Sequence, residues 1–231
     1  MKKVLFAAIA LLAAATPAMA EESFAPEAGD LSLELQFNPF SDNFETFKME
    51  RLQATYMLSD KDGLRFGLGL DLQNGKHTGA EDYDSYTSVK YGSFSINLGY
   101  ERHFFNYKRV DLYAGAEIIY KHRWAGAKSE AYDADNVWYE TKEAINYIPD
   151  TDKKAGNDFG FNLFTGINFS VYKGLYVGAE LGLGLEYAND SWSKNKTITK
   201  NDTDESKGFD KTKGFALAFK ANPALRLGWT F

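Results

Sequence analysis

Residues 175–187 read LYVGAELGLGLEY. Leu175, Val177, Ala179, Leu181, Leu183, Leu185 and Tyr187 alternate without a break with Tyr176, Gly178, Glu180, Gly182, Gly184 and Glu186. A repeat of two is the period of a β-strand, whose successive side chains leave opposite faces. One face is therefore wholly apolar, and the other mixes glycine with carboxylates. A soluble up-and-down barrel would enclose the apolar face and give the other to water, where glycine weakens the strand without benefit. Turned the other way, the leucines meet hydrocarbon and glycine makes room in a narrow lumen. The stretch reads as a membrane-spanning strand.

The same pattern extends in both directions from it. Leu31, Leu33, Leu35 and Phe37 stand opposite Ser32, Glu34, Gln36 and Asn38; Leu52, Ala54, Tyr56 and Leu58 stand opposite Arg51, Gln53 and Thr55. Leu64, Phe66, Leu68, Leu70 and Leu72 face away from Arg65, Gly67, Gly69, Asp71 and Gln73. A fourth run sets Phe94, Ile96, Leu98 and Tyr100 against Ser93, Ser95, Asn97, Gly99 and Glu101, with Val89 and Tyr91 out of phase, which predicts a bulge or a strand start near Gly92. The fifth and sixth runs put Leu112, Ala114, Ala116 and Ile118 opposite Asp111, Tyr113 and Glu117, and Phe161, Leu163 and Ile167 opposite Asn162, Phe164 and Asn168. The last run reaches from about Phe215 to the C-terminus and contains Pro223, tolerable only at a distortion.

That makes about eight strands, each near the ~9–11 residues of a tilted spanning strand. Three connections are short: Ser59 to Gly63, His103 to Arg109 and Val171 to Gly174. Those at the other end are longer, Asn74 to Thr87, Trp124 to Asp158 and Ala188 to Gly214, apart from a short first one around Pro39 to Thr46. Short turns on one side and long loops on the other are the asymmetry of outer-membrane barrels, with the turns in the periplasm. The expected fold is all-β: a transmembrane antiparallel up-and-down β-barrel of about eight strands.

Ahead of the strands, Lys2 and Lys3, the apolar run from Val4 to Ala15 and Ala18-Met19-Ala20 have the order of a secretory signal peptide. Residues 1–20 are expected to be cleaved, leaving 21–231 as one barrel domain with strands from about 29 to 231. The chain of 231 residues has no Cys, which removes disulfides, thiol catalysis and Cys-based zinc sites. Its net charge of -6 offers no electrostatic footprint for nucleic acid. A mean hydropathy of -0.41 leaves no room for a helical membrane bundle.

The final residues Leu225-x-Leu227-x-Trp229-x-Phe231 resemble the terminal-strand assembly signal of bacterial outer-membrane proteins. An extended edge with alternate aromatic side chains suits capture by strand addition. With this motif and the whole-chain layout, the sequence resembles the small eight-stranded barrels of the OmpA transmembrane-domain and OmpX type, an outer membrane protein beta-barrel domain. The resemblance covers about Gly29 to Phe231 and implies residence in the outer membrane of a diderm bacterium after Sec export. Its implied partners are outer-membrane lipids, lipopolysaccharide and the barrel-assembly machinery. With no periplasmic domain expected after the barrel, a peptidoglycan-binding role is not implied.

The inward face carries the chemistry. Glu34, Arg51, Asp71, Glu117, Glu180 and Lys220 should project into a lumen too narrow for a wide channel, where isolated charges are strongly disfavoured. They are expected to pair into a plug, with Lys220 bridging Glu180 and Glu34 and Arg51 serving Glu34 and Asp71. Catalytic residues, cofactors and metals are not expected. His77 falls in a loop, His103 in a short turn and His122 at the outer end of the fifth strand, where no Ser follows at strand spacing. Asp133, Asp135 and Glu140, or Asp202, Asp204 and Glu205, lack the Gly of a calcium loop. Loops 124–158 and 188–214 are long enough to hold an extracellular ligand, the first through Tyr132, Trp138, Tyr139 and Tyr147. The expected role is structural or surface interaction by a plugged barrel. The alternative is a small gated pore, and the third reading is an enzyme acting on outer-leaflet lipid.

Removing Phe231, or replacing it with a charged residue, should impair membrane insertion while leaving export intact. Fractionation of cells expressing the truncated chain checks this: normal outer-membrane yield would rule out the C-terminal signal.

Overall fold

The computed structural model describes residues 26–37, 51–78, 86–132, 137–218 and 224–231. The proposed signal peptide, the Pro39–Thr46 connection, Asp133, Asp135, Lys220 and Pro223 lie outside them. The described elements are all strands: β1 (Leu31–Phe37), β2 (Arg51–Met57), β3 (Asp62–Thr78), β4 (Tyr86–Tyr107), β5 (Val110–Tyr132), β6 (Trp138–Ile145), β7 (Gly156–Tyr172), β8 (Leu175–Asp190), β9 (Lys194–Thr199), β10 (Thr203–Lys207), β11 (Lys213–Ala218) and β12 (Ala224–Thr230).

Each of β1 to β5 pairs antiparallel with the next, β5 pairs β7, β7 pairs β8, β8 pairs β12, and β12 returns to β1. Antiparallel pairing thus runs all the way round the ring. Two of its reversals are made tightly by Lys108 (φ 54°) and Lys173 (φ 44°), both left-handed, as a two-residue link between twisted strands demands. The third is tied by Ser59, whose Oγ donates to the Asp62 carboxylate at 2.8 Å.

Polarity is inverted relative to a water-soluble domain. On β8, Tyr176 and Glu180 are buried while Leu181 is 54% exposed; on β3, Arg65 is 3% exposed beside Leu64 at 48% and Phe66 at 43%. The largest fully buried side chains are Tyr113, Gln53 and Glu34. Inward glycines serve inward rings: a Cβ at Gly166 would enter the Tyr113 phenol, and one at Gly228 would enter the Tyr176 phenol.

Several expectations are corrected. Among the described residues the strands number twelve: β1 to β5, β7, β8 and β12 form a ring of eight, as expected, while β6, β9 and β10 are strands where long loops were expected. β5 runs on through residue 132, past the ring, and its Gly126–Tyr132 portion pairs β6, which pairs β9, which pairs β10. Beta pairing satisfies the backbone of these segments more fully than an irregular loop would. The described parts of the last run, β11 and β12, both pair β8. No register shift occurs at Gly92; β4 stays paired with β3 and β5 there, and the shift lies between His103 and Phe105. Val89 and Tyr91 are simply on the polar side of an unbroken strand, Tyr91 beneath the Lys153 ammonium at 4.9 Å. His77 belongs to β3 and His103 to β4, neither to a connection.

The projecting sheet has a small core of its own in Ala144, Ile148 and Ala155. Near the outer end of β5 the Lys128 ammonium, 2.7 Å away, and the Tyr132 and Tyr86 hydroxyls draw the Glu130 carboxyl down to about 2.

Arg at Leu181 or Leu183 should destabilise the folded protein in bilayers by about 2–4 kcal/mol, the range for a cation on the lipid face near the midplane. The glycines between and beside them should separate. Ala at Gly182 meets Asn162 Oδ1 at 2.8 Å and should destabilise, whereas Ala at Gly184 finds its nearest atom at 3.7 Å and should be tolerated. Urea unfolding in lipid vesicles measures all four.

Candidate functional site: the charged lumen

Inside the ring, β1 to β5, β7, β8 and β12 all contribute charged or amide side chains because each strand's polar phase points inward. Arg226 on β12 donates through Nε to Glu34 Oε2 at 2.7 Å, and its Nη2 also contacts that oxygen. Its Nη1 lies 3.4 Å from Glu180 Oε2. The register explains the position: Arg226 stands opposite Gln36 on β1 and Gly178 on β8, diagonal to both Glu34 and Glu180. Tyr176 donates to Glu34 Oε2 at 3.0 Å, and Gln36 Nε2 reaches Glu34 Oε1 at 3.0 Å and Gln53 Oε1 at 3.1 Å.

Two ion pairs cross the lumen. Arg65 on β3 forks onto Glu180 on β8, Nη1 to Oε2 at 3.0 Å and Nη2 to Oε1 at 3.4 Å, while Nη2 also donates to Gln53 at 2.6 Å. Its guanidinium is stacked 3.9 Å from the centre of the Phe164 ring. Tyr113 adds a hydroxyl to Glu180 Oε2 at 3.0 Å. Arg51 on β2 holds both oxygens of Glu117 on β5, at 3.1 and 2.9 Å, with Asn162 on Glu117 Oε1 at 3.1 Å. A forked guanidinium–carboxylate pair is the strong form of a charge-assisted bond.

Toward the short turns, His103 Nδ1 is 2.7 Å from Asp111 Oδ2 and its Nε2 is 3.1 Å from Glu101 Oε1. At the opposite end Arg123 binds Asp158 through Nε and Nη2, each at 2.8 Å, and Asp190 through Nη2 at 2.8 Å. The lumen is thus tied at several heights.

Of the residues singled out from sequence, Glu34, Arg51, Glu117 and Glu180 meet in these contacts. Asp71 is half-buried and is not joined to Arg51, whose guanidinium crosses to Glu117 instead. Arg51 does not serve Glu34 either: it and Arg226 both stand opposite Gln36, one on each side of β1, and Arg226 is the one that turns to Glu34. Arg226 bridges Glu34 and Glu180; Lys220, expected to make that bridge, lies outside the described residues. Arg65, Arg226, Glu101, His103, Asp111 and Tyr113 were missed as network members. Their signal was present in the inward phase of each strand, but across-lumen partners have no sequence spacing. In the assembly motif, Leu227 and Trp229 point outward at 44% and 40% exposure and Phe231 is exposed, while Leu225 is half-buried. His122 is exposed beside Asn157, Nδ1 to Oδ1 at 2.9 Å. Glu140 pairs Lys142 and Glu205 pairs Lys194.

Arg226→Met strands Glu34 without its cation and should cost about 3–5 kcal/mol, the range for breaking a buried pair. Arg226→Met combined with Glu34→Gln should recover part of that loss, since no lone carboxylate remains beside Tyr176. Equilibrium urea unfolding of the single and double variants in vesicles measures the difference.

Residues 6–220 match the family described as outer membrane protein beta-barrel domain. A search of curated protein sequences finds no match. Among solved structures, the chain is similar to a major outer membrane protein from Thermus thermophilus, with 11% identity, 87% of this chain and 99% of that chain covered, and a TM-score of 0.43. It is similar also to the outer membrane protein OprG from Pseudomonas aeruginosa, with 11% identity, coverage of 91% and 99%, and a TM-score of 0.42. CarO of Acinetobacter baumannii shares 10% identity over 91% of this chain and 99% of that chain, with a TM-score of 0.31. With the family matched over nearly its whole length and a closed ring that is apolar outside and ionic within, the chain belongs to the outer membrane protein beta-barrel domain family.

Proposed function

We propose that this outer-membrane barrel has a structural or surface-interaction role and that its lumen is shut by ion pairs. The observation that carries this reading is the crossing of the lumen by Arg65–Glu180 and Arg51–Glu117, which join non-neighbouring strands and so occupy the space a solute path would need. The plug comprises Glu34, Arg51, Glu117 and Glu180 together with Arg65 and Arg226. Residues 1–20 act as a cleaved signal peptide for Sec export, and the Leu225–Phe231 pattern addresses the assembly machinery. No catalytic residue is assigned. Interaction falls to the projecting sheet, where Val137, Tyr139, Trp192 and Phe209 are each about half exposed and offer an apolar surface above the membrane.

The competing reading is a small gated pore. Planar-bilayer recordings separate the two: the plugged barrel should give rare or no openings as wild type, and Arg51→Gln should raise conductance by releasing Glu117. Frequent openings of the wild-type protein with no change in Arg51→Gln would favour the pore. Unaltered lipid A mass spectra in cells with and without the protein are expected on the non-enzymatic reading.

A further inference from the structure

The connection between β6 and β7 folds back over the lumen. Residues 146–155 form a narrow hairpin: Ala155 N–H donates to Asn146 O at 2.8 Å, Ile148 N–H donates to Lys153 O at 3.0 Å, and Thr151 Oγ1 closes the tip onto Ile148 O at 2.8 Å. Residues 149–152 are exposed, whereas Ile148 is buried and Lys153 is half-buried.

Lys153 shows where the hairpin lies. Its Nζ donates to Gln73 Oε1 at 2.6 Å and stands 4.9 Å from the centre of the Tyr91 ring. Gln73 on β3 shares the inward phase of Arg65 and Asp71, and Tyr91 on β4 is its cross-strand partner. With β4 and β5 between them, β3 and β7 are three strand spacings apart, about 14 Å around the wall. A side chain just ahead of β7 therefore meets an inward group of β3 by crossing the lumen. Between these points Arg123 on β5 donates through Nη1 to Lys154 O at 2.9 Å. The hairpin thus covers the β3, β4 and β5 side of the mouth away from the short turns.

Its two sides are held unequally. At the neck, Asn146 Nδ2 donates to Trp192 O at 2.8 Å, Ser191 N–H donates to Ala155 O at 2.9 Å, and the chain leaves β6 through a left-handed Asn146 with φ 68°. Tyr147 is fixed on the same side, its hydroxyl on Asn195 and its ring edge-on to Phe209 at 5.3 Å. Over the lumen the hold is the Lys153 ammonium on one amide oxygen and one ring face. A lysine pinned in this way loses rotamer freedom that it regains on release. The bonds inside the hairpin survive that release, so the segment can turn as a unit about its neck, as a hinged element does. Few contacts on the far side place this motion at the low-energy end of local opening.

We propose that residues 146–155 are a hinged lid on the outer mouth of the lumen, latched shut by Lys153 on Gln73 and Tyr91. The lid is a closure separate from the Arg65–Glu180 and Arg51–Glu117 pairs, and it stands whether or not the lumen below conducts. Trp192 and Phe209, half-exposed on the projecting surface, adjoin its neck.

The chain has no Cys, so single cysteines report access without background. Asp71, one inward position nearer the short turns than Gln73, lies behind the latch; Lys200 is exposed on the projecting sheet, and Ser170 lines the cavity at the short-turn end. The test is the rate at which sulfonatoethyl methanethiosulfonate modifies Asp71→Cys, Lys200→Cys and Ser170→Cys proteins in nanodiscs, read by mass spectrometry. Asp71→Cys should react more slowly than Lys200→Cys by about tenfold or more, and adding Lys153→Ala should raise its rate by about tenfold, the scale of one charge-assisted hydrogen bond. The rates at Lys200→Cys and Ser170→Cys should not change. Gln73→Ala removes the same latch from the wall side and should act as Lys153→Ala does, which keeps the test decisive if either variant fails to fold. Asp71→Cys reacting as fast as Lys200→Cys with the latch intact would overturn the lid. So would an unchanged Asp71→Cys rate in the folded latch variants, or an equal rise at Ser170→Cys, which would mark a loosened barrel.

Discussion

A chain that turns leucine and phenylalanine to the lipid must find partners for its remaining polar groups inside itself. Hydrocarbon offers none, so backbone groups close on one another around the ring and side chains close on one another across the lumen. The β12–β1 pairing completes the first requirement, from Ser32 opposite Thr230 to Phe37 opposite Leu225. It also makes the second possible, since it brings Arg226 beside Glu34. Without ring closure the backbone edge would be left unpaired and Glu34 would lose its cation.

The interior that results is ionic and aromatic together. Arg65 lies between the Phe164 face and the Glu180 carboxylate, and Arg226 lies 4.8 Å from the Tyr113 ring while binding Glu34. Each guanidinium is thereby held on a flat apolar surface with its edge toward a carboxylate, an arrangement Arg suits better than Lys. The glycines opposite these rings, Gly166 and Gly228, have no side chain because the phenols of Tyr113 and Tyr176 fill that volume. Small residues in the wall are the counterpart of large ones in the lumen.

Beyond the ring, the strands β4 and β5 continue as a sheet to which β6, β9 and β10 are added. This places two unlike environments on single strands. On β5, Glu117 is enclosed by Arg51 and Asn162, whereas Glu130, farther along, is set among Lys128, Tyr132 and Tyr86 at the surface. The lumen network and the projecting surface are thus rigidly connected through continuous backbone pairing.

Periodicity alone determined which residues face lipid and which face inward, because a strand's two-residue repeat is local and the lipid tolerates only one of its faces. Leu181 against Glu180 and Phe66 against Arg65 were legible in that way. The turn lengths likewise marked the two ends. Partner choice was not legible, because a carboxylate on β8 and a guanidinium on β3 are brought together only by ring closure and strand register. For the same reason Arg226 makes the bridge expected of Lys220, and His103 is buried between Glu101 and Asp111 instead of sitting in a turn. The long connections read as loops because their charged, aromatic composition carries no simple alternation, and pairing with the overhanging part of β5 made them strands. Local pattern fixes facing; only tertiary structure decides distance across an enclosed space.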